Sequence, residues 1–314
     1  KQFVEALVIV CLIGFCVLLI TLNRTTIEVL TMLGLLATAG FRLIPSFSRI
    51  LRNLQSIQFG WASVKVLQEQ MMMTNQSFQE LTEEFTDINF QDRLELNQIS
   101  FRYAESNELV LDGIDIEISK GETVGIVGES GVGKSTLNNV LLGLVSPTAG
   151  SFEIDGKNLE DGNKKIWQAK IGYVPQEVYL LDESILQNIA FGMPVNQIDE
   201  DGLQEVINIT KLDKFVADLP NGLNTMVGEK GVRLSGGQKQ RIGIARALFS
   251  SPEMLVLDEA TSALDMETEK EILDGIKAYQ RKLTTLIITH RKSTLEICDS
   301  VYELELGKLK VVNH

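Results

Sequence analysis

The chain has 314 residues, enough for one large domain with a second element beside it. Its 42 acidic residues outnumber 29 basic ones, and the formal net charge of −13 excludes the basic footprint of a nucleic-acid-binding protein. Three cysteines, Cys11, Cys16 and Cys298, form neither a disulfide framework nor a metal-binding spacing, which fits a reducing compartment.

The charge is unevenly divided. Residues 1–70 hold six cations (Lys1, Arg24, Arg42, Arg49, Arg52, Lys65) against three anions (Glu5, Glu28, Glu69), a net of +3 that leaves −16 for the remainder. Such a split sets the basic end near a membrane surface and the acidic end in solution. The chain opens on Lys1 inside apolar sequence, so it reads as a fragment of something longer.

From Phe3 to Leu22 the only charge is Glu5. As a helix, that run is about 30 Å long, the thickness of a bilayer's hydrocarbon core. A signal peptide is the alternative, but no small-residue cleavage site follows and a second apolar run begins almost at once. The second run, Ile27 to Ile44, contains Glu28, Arg42 and several threonines. These suit a helix packed on others or lining a polar cavity better than one facing lipid. Asn23-Arg24-Thr25-Thr26 turns the chain between the runs, giving a helical hairpin. Arg42 at the end of the second run and Arg49, Arg52 and Lys65 after it stand against Arg24 alone in the turn. The positive-inside rule therefore puts the turn outside and everything later in the cytosol.

Beyond Pro45 the residues Phe47, Ile50, Leu51, Leu54, Ile57, Trp61, Val64 and Leu67 recur at helical spacing. The second membrane helix is expected to run on into the cytosol with this stripe against partner helices; a helix lying in the membrane interface is the alternative. Met71 to Phe90 is polar and acidic without clear period and is expected to be a linker. The domains are then residues 1–70, 71–91 and 92–314.

From Leu94 the pattern is that of an α/β domain. Strand-like segments Leu94–Arg102, Leu109–Ile118 and Thr123–Val127 come first, then Gly150–Ile154, then alternating helix and strand patterns. An antiparallel edge beside a mostly parallel sheet is expected. A more helical, polar region, about Ile185 to Leu219, interrupts the alternation.

Gly128-Glu129-Ser130-Gly131-Val132-Gly133-Lys134-Ser135-Thr136 fits the phosphate-binding pattern G-x-x-x-x-G-K-[ST]. A short apolar strand precedes it and an apolar helix, Leu137 to Leu144, follows, which is the context the pattern needs. The glycines let backbone N–H groups turn into one concavity, where the helix N-terminus adds partial positive charge. Lys134 brings a full charge to terminal phosphates, and the Ser135 hydroxyl is placed for Mg²⁺. A glycine-rich turn that binds nothing would need neither side chain.

Two later segments complete the pattern. Met254-Leu255-Val256-Leu257-Asp258-Glu259 is a buried strand ending in two carboxylates. Asp258 can reach the metal through water, and Glu259 can orient an attacking water in line with the γ-phosphate. Leu234-Ser235-Gly236-Gly237-Gln238 reads as a second helix N-terminus with free N–H groups, and so a second phosphate site. One chain needs only one such site for one nucleotide; two chains facing each other need both.

With these residues in place, the segment from about 92 to 312 resembles the nucleotide-binding domain of ATP-binding cassette (ABC) transporters. Further motifs follow in the family's order: Tyr103, Tyr173-Val174-Pro175-Gln176, Ser262-Ala263-Leu264-Asp265 and Thr289-His290-Arg291. The resemblance implies an α/β P-loop NTPase domain, mostly parallel sheet with an antiparallel β subdomain and a helical subdomain, preceded by an all-α transmembrane hairpin. It implies ATP and Mg²⁺ as cofactors. Tyr103 would stack on adenine, and Gly128, Ser130, Gly131, Gly133, Lys134, Ser135 and Thr136 would cradle the phosphates. Ser135, Gln176 and Asp258 would serve the metal, and Glu259, His290, Gln176 and Lys134 would serve hydrolysis. Ser235, Gly236, Gly237 and Gln238 would bind the nucleotide of the facing chain. Asn138-Asn139 departs from the pattern by making the following helix more polar.

The hairpin and cassette together look like the last two of six helices, plus the nucleotide-binding domain, of an exporter-type half-transporter. That implies an integral membrane protein, of a bacterial inner or plasma membrane, with a cytoplasmic cassette. Its partners would be membrane lipid and a second half-transporter chain, the same or different, and no nucleic acid. Val227-Gly228-Glu229-Lys230-Gly231 resembles the segment through which exporter cassettes sense the membrane domain. Phe41 to Ile50 is similar to flippases for lipid-linked oligosaccharides, with export of an apolar lipid or peptide as the rival. A regulatory module that binds ATP without turnover is a further alternative, against which Glu259 and Leu234–Gln238 both stand intact. A soluble cassette ATPase of DNA repair or translation is a third class, against which the hairpin at residues 3–44 and the acidic charge both count.

Overall fold

The computed structural model describes residues 10, 13–15, 17, 18, 21, 26–79, 88–104, 106–279 and 283–312. They fall into two units, Lys1–Gln79 and Glu80–His314.

In the first unit a single α-helix runs from Thr26 to Gln79, straight through Pro45. Its stretch Ile27–Gln68 is long and apolar enough to cross a membrane. Proline removes one amide donor, but hydroxyls along the helix find local acceptors: Thr31 bonds the Ile27 carbonyl, Thr38 that of Gly34, and Ser46 that of Arg42 (3.1 Å). The helix thus leaves these polar groups satisfied without help from water. Most of the first apolar run, Cys11, Cys16 and the turn Asn23–Thr25 lie outside the described residues.

The expected linker is corrected at both ends. The helix continues through Met71 to Gln79, where no glycine or proline stops it. At the other end Ile88 and Phe90 are buried in the cassette core. Phe90 meets Trp167 edge-on at 5.7 Å, and the Lys120 ammonium lies 4.3 Å from its ring centroid.

The second unit contains ten strands among the described residues: β1 (Arg93–Phe101), β2 (Leu111–Ser119), β3 (Thr123–Val127), β4 (Ala149–Ile154), β5 (Lys157–Asn158), β6 (Ile171–Val174), β7 (Met254–Asp258), β8 (Thr284–Ile288), β9 (Ser300–Glu305) and β10 (Lys308–Val312). They form two sheets, ordered β2-β1-β4-β5 and β10-β9-β3-β8-β7-β6. The first is antiparallel throughout. In the second only β10 runs antiparallel to its neighbour. The antiparallel strands are thus a sheet of their own rather than an edge of the parallel one, because β1 spends both of its edges on β2 and β4.

Strands β3, β7 and β8 are buried along nearly their whole length, the threonines of β3 and β8 included, because both faces of their sheet are covered. Side chains alternate between two cores. Met254, Val256, Leu286 and Ile288 join one core with the antiparallel strands and the helix Lys134–Leu141. Leu255, Leu257 and Ile287 join the other, with the helices Glu200–Ile209, Gly236–Phe249 and Met266–Tyr279. The polar interruption expected from Ile185 to Leu219 is the helical region Ile185–Ile189, Glu200–Ile209 and Asp213–Ala217.

Asp155 ties the incoming chain to this body. With Gly156 it forms the two-residue turn between β4 and β5, both residues at positive φ (49° and 75°). Its carboxylate then accepts the N–H groups of Gln91 (2.6 Å), Asp92 (3.0 Å) and Arg93 (2.8 Å). Burial works to raise its pKa, but the three amide donors prevail and hold it below the usual carboxylate range. A depressed native pKa adds stability above the unfolded-state value, and that stability is lost as pH falls through the native one. Asp155→Asn, which keeps the turn conformation, is therefore expected to cost about 1 kcal/mol at pH 7 after solvent screening. In urea unfolding, the gap between variant and wild type should close as pH falls below the ordinary carboxylate range and through the depressed native value.

Candidate functional site

Four parallel strands deliver the candidate residues to one edge of the sheet. The loop after β3 carries Gly128 to Gly133, and Lys134, Ser135 and Thr136 form the first turn of the helix Lys134–Leu141. The loop after β6 carries Gln176, β7 ends at Asp258 with Glu259 next, and His290 follows β8. Together they line a cleft of about 560 Å³ with Tyr103, Ser130, Gly131 and Gly133.

The glycine requirement is physical. At Gly128, whose φ is +155°, a Cβ would lie 2.5 Å from the Leu304 carbonyl oxygen; at Gly133 φ is +111° and a Cβ would meet the Val110 carbonyl at 3.1 Å. The loop can therefore fold this tightly only without side chains at those points. Lys134 is buried and donates to the carbonyls of Gly128 (2.7 Å) and Glu129 (2.8 Å), so its charge sits over the loop. Ser135 is exposed toward the cleft, and Thr136 is buried with its hydroxyl 3.1 Å from that of Tyr103. The Tyr103 ring is half exposed and meets Phe101 edge-on at 5.0 Å.

Glu259 occupies the centre of the polar wall. Gln176 Nε2 donates to its Oε2 at 2.7 Å, and His290 Nε2 lies 3.2 Å from its Oε1. Its backbone is in the left-handed region (φ 48°) and its N–H bonds the Ile288 carbonyl at 2.9 Å, so strain and pairing together aim the side chain. Asp258 behind it has its pKa raised, first by burial, against hydrogen bonds from Tyr173 and Asn138. Burial and then the Asp258 charge push the Tyr173 phenol up to about 12, so it stays a donor.

The donors facing the cleft, Ser135 hydroxyl, Asp258 carboxylate and the Gln176 side-chain amide, are hard oxygens that fit Mg²⁺. Among the described residues no cluster of His, Cys, Asp and Glu is built to hold a metal by itself. Mg²⁺ needs none, since it takes most of its ligands from phosphates and water.

Ser235, Gly236, Gly237 and Gln238 do not line this cleft. They begin the helix Gly236–Phe249, and Ser235, Gly236 and Gly237, without Gln238, border a separate hollow of about 290 Å³ with Ala263, Leu264 and Asp265. Two of the groups expected to be free there are engaged. The Ser235 hydroxyl accepts the Gln238 N–H (3.2 Å), and Gln238 Oε1 accepts the Ser235 N–H (2.8 Å), a reciprocal cap. The donors left at this helix start are the amides of Gly236 and Gly237.

Several residues that shape the site have no motif of their own. Asn138 and Tyr173 both donate to Asp258. Gln240 bonds Ser262 and Ala263, tying the segment Ser262–Asp265 to the helix that Ser235 caps. Arg291 donates to the carbonyls of Ser262 (2.6 Å) and Leu264 (3.1 Å) and pairs at 2.7 Å with Glu269, which is 2% exposed. Thr261 and Thr294 bond the other oxygen of Glu269. In the sequence Tyr173 and Arg291 appear only as neighbours of Gln176 and His290 in short motifs, and Gln240, Thr261, Glu269 and Thr294 belong to none. The only hint was a glutamate and an asparagine at otherwise apolar helix positions.

Residues 111–262 match the family model described as ABC transporter. Among curated proteins the chain is similar to the ATP-dependent lipid A-core flippase of Alkalilimnicola ehrlichii, 41% identical over 69% of this chain and 36% of that protein. It is also similar to multidrug resistance protein 1 of Entamoeba histolytica, 39% identical over 74% of this chain and 18% of that protein. A solved bacterial Atm1-family ABC exporter with ATP bound superimposes with a TM-score of 0.67, at 35% identity, covering 73% of this chain and 39% of the other. The chain thus spans well under half the length of these relatives. The matched residues 111–262 include the phosphate loop and the carboxylate-bearing β7, and this chain carries a P-loop NTPase domain of the ABC transporter family, with exporter-type homologues.

Proposed function

We propose that this chain is the ATP-binding and ATP-hydrolysing part of a membrane exporter that works as a dimer. The observation that carries the reading is Glu259, held between Gln176 and His290 in the cleft that Lys134 also lines. In this reading the loop amides and Lys134 bind the phosphates, and the Tyr103 ring is available to adenine. Glu259 accepts a proton from water and orients it, while Gln176 and His290 fix its two oxygens. Ser135, Asp258 and Gln176 would hold Mg²⁺, which would supply charge neutralisation on the phosphates.

The separation of Ser235, Gly236 and Gly237 from the cleft supports a site completed by a second copy, with ATP between one chain's loop and its partner's helix start. Closure of that sandwich would move membrane helices, with Glu229, exposed just ahead of the helix start, as a contact to the partner's cytosolic ends. For cargo we propose a lipid bearing phosphate groups, of the lipid-linked oligosaccharide kind. Arg42, Arg49 and Arg52 are exposed on one long helix with spacings of seven and three residues, so they share a face. Guanidinium groups pair well with phosphate oxygens, and a relative named as a lipid A-core flippase supports the same cargo class. The helix apolar enough to span a membrane supports an integral membrane location, with the acidic cassette in the cytoplasm.

Glu259→Gln is expected to lower steady-state ATP hydrolysis about 10²–10⁴-fold while ATP still binds. The variant should accumulate as an ATP-bound closed dimer on sizing or crosslinking; turnover near the wild-type rate would remove Glu259 from its role. A mixed dimer of one Lys134→Ala chain and one Ser235→Arg chain should occlude one ATP, in the site made from the second chain's loop and the first chain's helix start. An assembled mixed dimer that occludes none would contradict the shared site. In liposomes containing the full-length protein, a lipid-linked oligosaccharide should stimulate hydrolysis, and replacing Arg42 and Arg49 together by Gln should weaken that stimulation with basal hydrolysis unchanged. Stimulation by an apolar lipid or a peptide in its place would overturn the cargo reading.

A further inference from the structure

Asn138 sits where an apolar residue would pack more cheaply. It lies in the second turn of the helix Lys134–Leu141, 1% exposed, beside the buried Leu137 and Leu141. Its Nδ2 donates to Asp258 Oδ2 at 3.3 Å, while its own Oδ1 is buried with no hydrogen-bond partner. Reversing the amide would set Oδ1 against the carboxylate and leave the donor unused, so the orientation is dictated by charge. A buried, unpaired carbonyl oxygen costs stability, and a leucine of nearly the same shape would avoid that cost. Tyr173 donates to the same carboxylate oxygen at 3.4 Å. Asp258 Oδ1 receives no hydrogen bond from the described residues.

Two donors on one oxygen and none on the other is an asymmetric arrangement, and it fixes the rotation of the carboxylate. We propose that Asn138 and Tyr173 are positioning residues that hold Asp258 by Oδ2 and thereby reserve Oδ1 for the divalent cation that accompanies the nucleotide phosphates. The unpaired Asn138 Oδ1 is the stability given up for that placement. This inference rests on the nucleotide reading above and extends it to two residues outside the phosphate loop. Neither lines the phosphate cleft, so both act through Asp258. Outer-shell partners of this sort hold a metal ligand in the orientation that binding needs.

The test uses the full-length protein, a non-hydrolysable ATP analogue and Mn²⁺ as the probe, with free Mn²⁺ followed by electron paramagnetic resonance. Asn138→Leu should raise the half-saturating Mn²⁺ concentration about tenfold. Its melting temperature without nucleotide should stay level or rise, and analogue binding in chelator should be unchanged. A merely structural asparagine would give the reverse: a lower melting temperature and unchanged Mn²⁺ affinity. Tyr173→Phe removes one hydroxyl from a partly exposed ring and should shift Mn²⁺ affinity in the same direction by a smaller factor, which keeps the idea testable if Asn138→Leu folds poorly. Wild-type Mn²⁺ affinity in both variants would overturn the positioning role alone. A wild-type protein that binds no Mn²⁺ with the analogue would overturn the nucleotide reading and this inference together.

Discussion

Parallel main-chain pairing among β3, β8, β7 and β6 is the constraint on which the candidate site depends. In that order, and in register, Ile126 stands beside Ile288, Ile288 beside Asp258, and Leu257 beside Val174. Parallel strands all end on the same side, so four loops far apart in sequence emerge next to one another. Each brings one working group: the Lys134 loop, His290, Glu259 and Gln176. A register slip of one residue would exchange the two faces of a strand. It would put Leu257 and Leu255 into the wrong core and rotate Asp258 away from the cleft at the same time. Packing and chemistry are therefore enforced by the same hydrogen bonds.

Polar side chains then lock what the sheet has placed. Glu259 has both oxygens engaged, Asp258 is gripped by one oxygen, and Glu269 gathers Arg291, Thr261 and Thr294 in a buried cluster. A buried carboxylate is tolerable only when so compensated. The Arg291 guanidinium also reaches the carbonyls of Ser262 and Leu264, so the segment after Glu259 is tied to the residue next to His290. The cleft is thereby preorganised, with its donors and acceptors already set in place, which is the condition under which electrostatic catalysis is effective.

The first unit follows a different physics. Its helix carries hydroxyls that bond their own preceding carbonyls, and its large apolar side chains are exposed along most of its length. In water such a surface would be a liability; in lipid, or against other apolar helices, it is the expected one. Arginines on the same helix add phosphate-seeking charge.

Local patterns in the sequence were enough for much of this. The glycine loop, the apolar strand closed by Asp258 and Glu259, and the helix past Pro45 follow from backbone stereochemistry and hydropathy over a few residues. The ends of the linker did not, because nothing in Met71 to Gln79 breaks a helix and the burial of Ile88 and Phe90 depends on Trp167 and Lys120, far along the chain. The antiparallel strands were legible as strands, yet their forming a separate sheet depends on which edges β1 pairs. The engagement of Gln238 by Ser235 was hidden in a motif read for its free amides, although Ser with Gln three residues on is a capping pattern. The roles of Asn138, Tyr173, Glu269 and Arg291 were not legible, although Asn138 stood out as a polar residue and Tyr173 and Arg291 sit beside Gln176 and His290 in short motifs. Each acts through a partner brought near by the fold, 120 residues away for Asn138, 85 for Tyr173 and 22 for Glu269 with Arg291, and such contacts leave no periodicity in the sequence. Residue types and short spacings determined which groups this chain brings to phosphate chemistry; the tertiary structure alone decided which of them share a cleft, which oxygens are already taken, and which are left to meet a ligand.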